Sequence, residues 1–136
     1  MPSMKIFDIA GSAMAAQSVR LNTVASNLAN AGNVSGDPKT VYKPVEPVFQ
    51  THAIDPSQPG IGGVRVVRIE QSQAEPIKRY EPGNPLADEQ GYVYAPDIDP
   101  VAQMVNMMSA ARAYQADVEM LNTTKELALA TLNVGR

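Results

Sequence analysis

Cysteine and tryptophan are absent, histidine occurs once, at His52, and only two phenylalanines are present, Phe7 and Phe49. Without cysteine there are no disulfides, no thiol catalysis and no thiolate metal site, so the chain is indifferent to redox compartment. One histidine cannot supply the paired histidines of a zinc-protease helix. Large aromatic side chains usually dominate core burial. Their scarcity here, with five tyrosines as the remainder, predicts a thin core. Clustered positive charge is missing as well. The chain carries 11 Lys and Arg against 14 Asp and Glu, and Lys39, Lys43 and the pair Lys78-Arg79 make no basic run. Phosphate recognition needs such clustering, so nucleic acid is excluded as a partner. No apolar run reaches the roughly 18 residues of a membrane span, which argues against direct membrane insertion. The opening residues are interrupted by Asp8, Ser12, Gln17 and Ser18, so they do not form the apolar stretch of a cleaved secretory signal.

What is present divides into three parts. Ten of the eleven prolines and seven of the nine glycines lie between Gly32 and Pro100. The ends are nearly free of both, which marks helices flanking a punctuated middle. The expected fold is mainly α with a small irregular β/loop segment. Its N- and C-terminal helices pair as a coiled coil, with a short Pro/Gly-rich middle between them. The expected divisions are an assembly helix at 1–32, a β/loop segment at 33–98 and a second assembly helix at 99–136, together one structural unit.

The front helix shows apolar or small residues at Ala10, Met14, Leu21, Val24, Leu28 and Ala31, with Gln17 as the polar member of a 3,4 spacing. Gly32-Asn33 is a helix stop. At the back, Asp99 is the expected N-cap and Pro100 the first helical residue. Met104, Met107, Ala111, Tyr114, Val118, Leu121, Ala128 and Leu132 continue the same spacing, interrupted by Lys125. In the middle, Val64–Ile69 is the best strand, Ile77–Tyr80 and Gly91–Tyr94 are weaker ones, and Val41–Phe49 is confined to an edge or an irregular extension by Pro44 and Pro47. Pro82-Gly83-Asn84-Pro85 is a turn, and much of 52–63 is expected to be loop.

Between Ile9 and Gly36 the only charged residue is Arg20. A solvated helix normally carries charge on its outer face. Either this helix packs on its own domain or neighbouring chains cover it, and the shortage of core favours the second. The two matching seams can pair within a subunit, leaving other faces for neighbours, and a repeated head-to-tail contact gives a ring or a filament. Interface residues on the front helix are then expected to be Met14, Leu21, Val24, Asn27, Leu28 and Asn30. On the back helix they are Met104, Met107, Ala111, Tyr114, Gln115, Val118 and Leu121. Asn27, Asn30 and Gln115 are the candidates for hydrogen bonds between chains.

Chemistry is thinly supported. His52 reads as a solvated loop histidine. Asp97 and Asp99 lack the further ligands and glycine of a calcium loop. Asp88-Glu89 is the one carboxylate pair from which a glycosidase could start, but a solvated pair in a turn is the favoured reading. Gly60-Ile61-Gly62-Gly63 precedes a strand, whereas phosphate loops follow one. No catalytic residue, metal site or cofactor is expected.

Two motifs, taken together, carry a resemblance. Ser12-Ala13-Met14-x-Ala16-Gln17-x-x-Arg20-Leu21-Asn22 leads into Ala25-Ser26-Asn27-Leu28-Ala29-Asn30-Ala31. Later come Tyr80-x-Pro82-Gly83-Asn84-Pro85-x-Ala87-Asp88-x-x-Gly91-Tyr92-Val93, then Met104-Val105-x-Met107 and Ala111-Arg112-Ala113-Tyr114-Gln115-Ala116. The set resembles the bacterial flagellar rod, hook and hook-cap axial protein family over nearly the whole chain, and its short middle resembles the proximal-rod members. Departures fall at Asn84, at Pro96-Asp97-Ile98, at Ala102-Gln103 and across 33–42. The resemblance implies a non-enzymatic, coiled-coil, self-assembling subunit of the basal body, placed in the rod in the periplasmic space and serving motility. It implies export by the flagellar type III apparatus without signal cleavage, and assembly with copies of itself, other rod proteins and the rod-base adaptor. The assembled tube would transmit torque from motor to hook. A wall hydrolase serving the rod and a type III export chaperone or adaptor are the alternatives.

Overall fold

The computed structural model describes residues 2–135, with side chains from residue 4 onward. Two long helices bracket two separate antiparallel hairpins. Helix α1 spans Pro2–Asn30 and helix α2 spans Pro100–Val134. Strands β1 (Val45–Ala53) and β2 (Gly62–Gln71) form the first sheet. Strands β3 (Ile77–Tyr80) and β4 (Tyr92–Ala95) form the second.

Local chemistry sets the ends of α2. The Asp99 Oδ1 accepts the Val101 N–H at 2.9 Å while Pro100 occupies the first turn, the arrangement that its missing N–H favours. Gly135 closes the other end. The helices run antiparallel, because Asn27 near the end of α1 meets Gln103 near the start of α2, and Arg20 meets Asn106.

The fold expected from the sequence needs correcting here. The middle is not a short irregular connector but two ordered sheets, and a coiled coil does not describe the architecture. Strands β1 and β2 run for nine and ten residues, and α1 packs against both of them as well as against α2. The prolines keep β1 on an edge without breaking it. Pro47 sits opposite Ile69 inside the ladder, and it is tolerated because each strand of a two-stranded sheet is an edge with one side free of partners. A bulge at Val48/Phe49 adds local twist. The hairpin also extends into the stretch expected to be loop. His52 lies opposite Gly63 at the end of β1, half-buried, and its Nδ1 is enclosed without a hydrogen-bond partner. It is not a solvated loop histidine.

The small core falls in two places: Ala10, Ala16, Val24 and Ala110 are buried on the helices, and Val41, Val93 and Ala95 are buried in and around β4, with Val93 fully so. Ser35 adds a further bridge to Tyr94, with both of its ladder bonds made. A Cβ on Gly36 would lie 2.5 Å from the Leu86 carbonyl oxygen, so only glycine fits between the two loops. Gly91 takes φ +83° to return the chain into β4.

Candidate assembly interface

Helix α1 has three faces. The first meets the β1–β2 hairpin. Ser12 Oγ donates to the Ile9 carbonyl at 2.7 Å and accepts the Val64 N–H at 3.1 Å. Gly63 lies so close beneath that a Cβ there would stand 2.7 Å from Ser12 Oγ. Near the helix start, Lys5 Nζ reaches Asp55 at 2.5 Å and Gln58 at 3.0 Å in the hairpin loop. The Lys5 hydrogen bond, helped by those of Ser57, holds the Asp55 carboxyl well below the usual carboxylate range.

Asn27 closes this face at the other end, and it is 1% exposed. Its Nδ2 donates to the Val45 carbonyl at 2.9 Å, and its Oδ1 accepts the Val45 N–H and the Tyr42 hydroxyl, each at 2.9 Å. The amide therefore pairs with the entry of β1 as a neighbouring strand would. A longer 3.4 Å contact runs from Nδ2 to Gln103 Oε1. Two donor hydrogens and two acceptor sites are all that an Asn side chain offers, so Asn27 is saturated inside its own subunit.

The second face of α1 meets α2. Arg20, the one charge of this stretch, donates Nε to Asn106 Oδ1 at 2.7 Å. Val24 is buried, and Met14, Leu21 and Leu28 are half-buried. The third face is open: Gly11, Ala15, Ser18, Asn22, Ala25 and Ala29 are all exposed, at 3,4 spacing and without charge. Asn30 stays local, donating to the Ser26 carbonyl and accepting from Asn33.

Helix α2 is far less covered. Only Ala110 and Thr124 are buried. Met107, Tyr114, Asp117, Leu121 and Ala128 are half-buried and continue the line through them. That line is displaced by one residue at alternate positions from the apolar spacing in the sequence. It passes through Thr124, and Lys125 points outward. Small side chains at the closest approach explain the displacement, since bulky ones would hold the helices apart. Burial raises the Asp117 carboxyl pKa above its ordinary value. Ala111 and Val118 lie half-buried beside the line, while Met104 and Gln115 are exposed.

Outside the candidates named from the sequence lies a second apolar stripe. Val101, Met104, Val105 and Met108 are each at least half exposed, at i, i+3, i+4 and i+7. Met120, Leu127, Leu129, Leu132 and Val134 follow toward the C-terminus. Of these residues only Met104 is among the interface positions expected from the sequence, since a single helical spacing does not reach Val101, Val105 and Met108 as well.

The carboxylate pair does not form a catalytic arrangement. Asp88 Oδ1 accepts the Tyr92 N–H at 2.8 Å and the Gln90 N–H at 2.9 Å, and the Tyr92 bond is the chief cause of its lowered pKa. A general acid needs the opposite shift, so Asp88 organises the β3–β4 turn. Among the described residues no group of three or more His, Asp or Glu side chains is placed to hold a metal, and no helix is long and apolar enough to cross a membrane.

Comparison with known proteins matches both ends of the chain. The family described as flagella basal body rod protein matches residues 7–36, which covers most of α1. The family described as flagellar basal body rod FlgEFG protein C-terminal matches residues 89–134, which covers β4 and α2. The chain is 54% identical over 136 residues to the flagellar basal-body rod protein FlgC of Salmonella typhimurium, covering all of both chains. It is 53% identical over 138 residues to the protein of the same name from Escherichia coli O6:H1, and 51% identical to that of Yersinia enterocolitica, again covering all of both chains. Identity at this level over the full length leaves one assignment: the chain belongs to the FlgC family of flagellar basal-body rod proteins.

Proposed function

We propose that this chain builds the proximal part of the rod by packing the bulky outer stripe of α2 against the small-residue face of α1 on adjacent subunits. The family supplies the coarser fact: the protein is a structural subunit of the flagellar basal-body rod, and not an enzyme. The single observation that carries the finer reading is the exposed stripe Val101, Met104, Val105 and Met108. An apolar stripe left on a subunit surface marks a binding face. Gly11, Ala15, Ser18, Asn22, Ala25 and Ala29 offer the shallow groove such side chains fit, since small residues let backbones approach closely.

The expected partners are copies of the chain itself, other rod proteins and the rod-base adaptor, with the type III export apparatus met in transit and no signal cleaved. The assembled tube lies in the periplasmic space and transmits torque from motor to hook. Of the interface residues expected from sequence, Met104 and Gln115 face outward and are free to meet a neighbour directly. Met14, Leu21, Val24, Leu28, Met107, Ala111, Tyr114, Val118 and Leu121 act first within the subunit, by fixing the helix pair whose outer faces assemble. The test replaces Val105→Asp and Met108→Asp together in a strain lacking the native protein. Export persists, and the subunit is missing from purified basal bodies with motility lost. Normal incorporation of that variant would overturn the reading.

A further inference from the structure

Two open grooves of opposite charge lie on either side of the segment that joins β2 to β3. One, of about 530 Å³, is lined by Lys39, Lys43 and Lys78, with Glu75 as its one acid. The other, of about 420 Å³, is lined by Glu46, Glu70, Asp97 and Asp99 and by no basic side chain. Gln73 and Ala74 line both, so the grooves stand back to back. Most of this charge is unspent. Glu70 is paired with Arg68 at 2.5 Å, and Asp99 caps α2. Lys78 stands 3.9 Å from the centre of the Tyr92 ring. Among the described residues Lys39, Lys43, Glu46 and Asp97 make no ion pair and no side-chain hydrogen bond, and all four are exposed.

A surface with three lysines on one side of a short segment and four acids on the other is complementary to itself in one orientation. We propose that the lysine groove of one copy of this chain receives the acidic groove edge of the next, a head-to-tail contact that rests on the assembly reading above. Two different patches meet in such a contact, so it repeats without closing on a pair. Exposed ion pairs add little energy each. Their effect is to reject wrong registers, because like charges brought together are costly, and to make association depend on salt. The apolar helical faces supply the cohesion and the grooves fix which neighbour sits where.

The test uses two full-length variants, Lys39→Glu with Lys43→Glu, and Glu46→Lys with Asp97→Lys. All four sites are exposed, and circular dichroism verifies that both variants fold. Sedimentation velocity of the wild-type chain up to about millimolar concentration, the range of weak assembly contacts, shows self-association that weakens as salt rises. Each variant alone associates about tenfold or more weakly, as expected for a few reversed contacts. Mixing the two variants restores association, because the intact acidic groove of the first then meets the intact lysine groove of the second. Failure of the mixture to recover overturns the proposal, and so does salt-independent association or none at all in the wild type. The Val105→Asp, Met108→Asp strain reports separately on assembly. If that strain fails to build a rod while the charge variants behave as wild type, the groove contact alone is wrong.

Discussion

Helices α1 and α2 start from similar sequence but end in different surroundings. Both have 3,4 apolar spacing and little charge at their inner positions. In α1, Ala10, Ala16, Thr23, Val24 and Asn27 are buried, and its large apolar residues beyond Ile6 are all at least half covered. In α2 only Ala110 and Thr124 are buried, while nine large apolar side chains from Val101 to Val134 are exposed. The β1–β2 hairpin makes the difference, since it packs on α1. Two faces of α1 are thus covered within the subunit, its third stays open and uncharged, and the bulky unmet apolar surface lies on α2. Substitutions on the covered faces of α1 should therefore damage the fold of the subunit, and substitutions on outer α2 or on the open small-residue face of α1 should spare the fold and damage the assembly.

The largest effect on stability is expected at Asn27. Asn27→Ala strands the Val45 N–H and carbonyl and frees the Tyr42 hydroxyl, a loss of about 2–4 kcal/mol for buried groups left unpaired. Chemical denaturation of the purified chain measures it, and an unchanged midpoint would break the comparison. Gly63→Val comes next, because the added side chain enters the space held by Ser12 Oγ and His52. Overpacking of this kind costs about 1–3 kcal/mol and should lower the melting temperature. By contrast Met104→Ser removes an exposed side chain, and its melting temperature should stay near wild type while incorporation into basal bodies falls.

Acid sharpens the same contrast. The Asp55 carboxyl is depressed in the folded chain, so its contribution is complete above the unfolded value near 4 and is lost as pH falls below it. The Lys5–Asp55 clamp between α1 and the hairpin should then hold through the ordinary carboxylate range near pH 4 and open only in stronger acid, read as amide protection around residues 54–61, corrected for intrinsic exchange, that survives at about pH 4 and falls well below it. Asp117 is shifted the other way by burial. The folded state favours its proton, so the chain gains a little stability as pH falls through that group's range and loses it as pH rises. Asp117→Asn should remove the cost of the buried charge and raise the melting temperature slightly at neutral pH, the smallest effect of the series.

Local signals in the sequence were enough for several elements. The Asp99-Pro100 cap, the turn at 82–85 and the runs Val64–Ile69 and Ile77–Tyr80 all lie where their residue types place them, because capping, turn geometry and β-branching act over a few residues. What escaped depends on partners distant in the chain. Nothing within α1 reveals that Asn27 pairs with Val45 or that Ser12 receives Val64, contacts across 18 and 52 residues. The helix-pair line was missed by one position because Ala110 and Thr124 carry a weak hydrophobic signal, yet their small size is what closest approach requires. Tyr42, which ties Asn27 to Ser26, lies in a stretch where only strand propensity was sought.

The lack of cysteine makes the outer face of α2 directly measurable. A single Met108→Cys substitution places one thiol at the centre of the exposed stripe, and maleimide labelling is compared between purified basal bodies and the same subunits after dissociation. The thiol should be protected in the intact rod and should label readily once the subunits are freed. Equal labelling in both states would mean that the stripe stays in water after assembly, and that α2 does not join neighbouring chains through it.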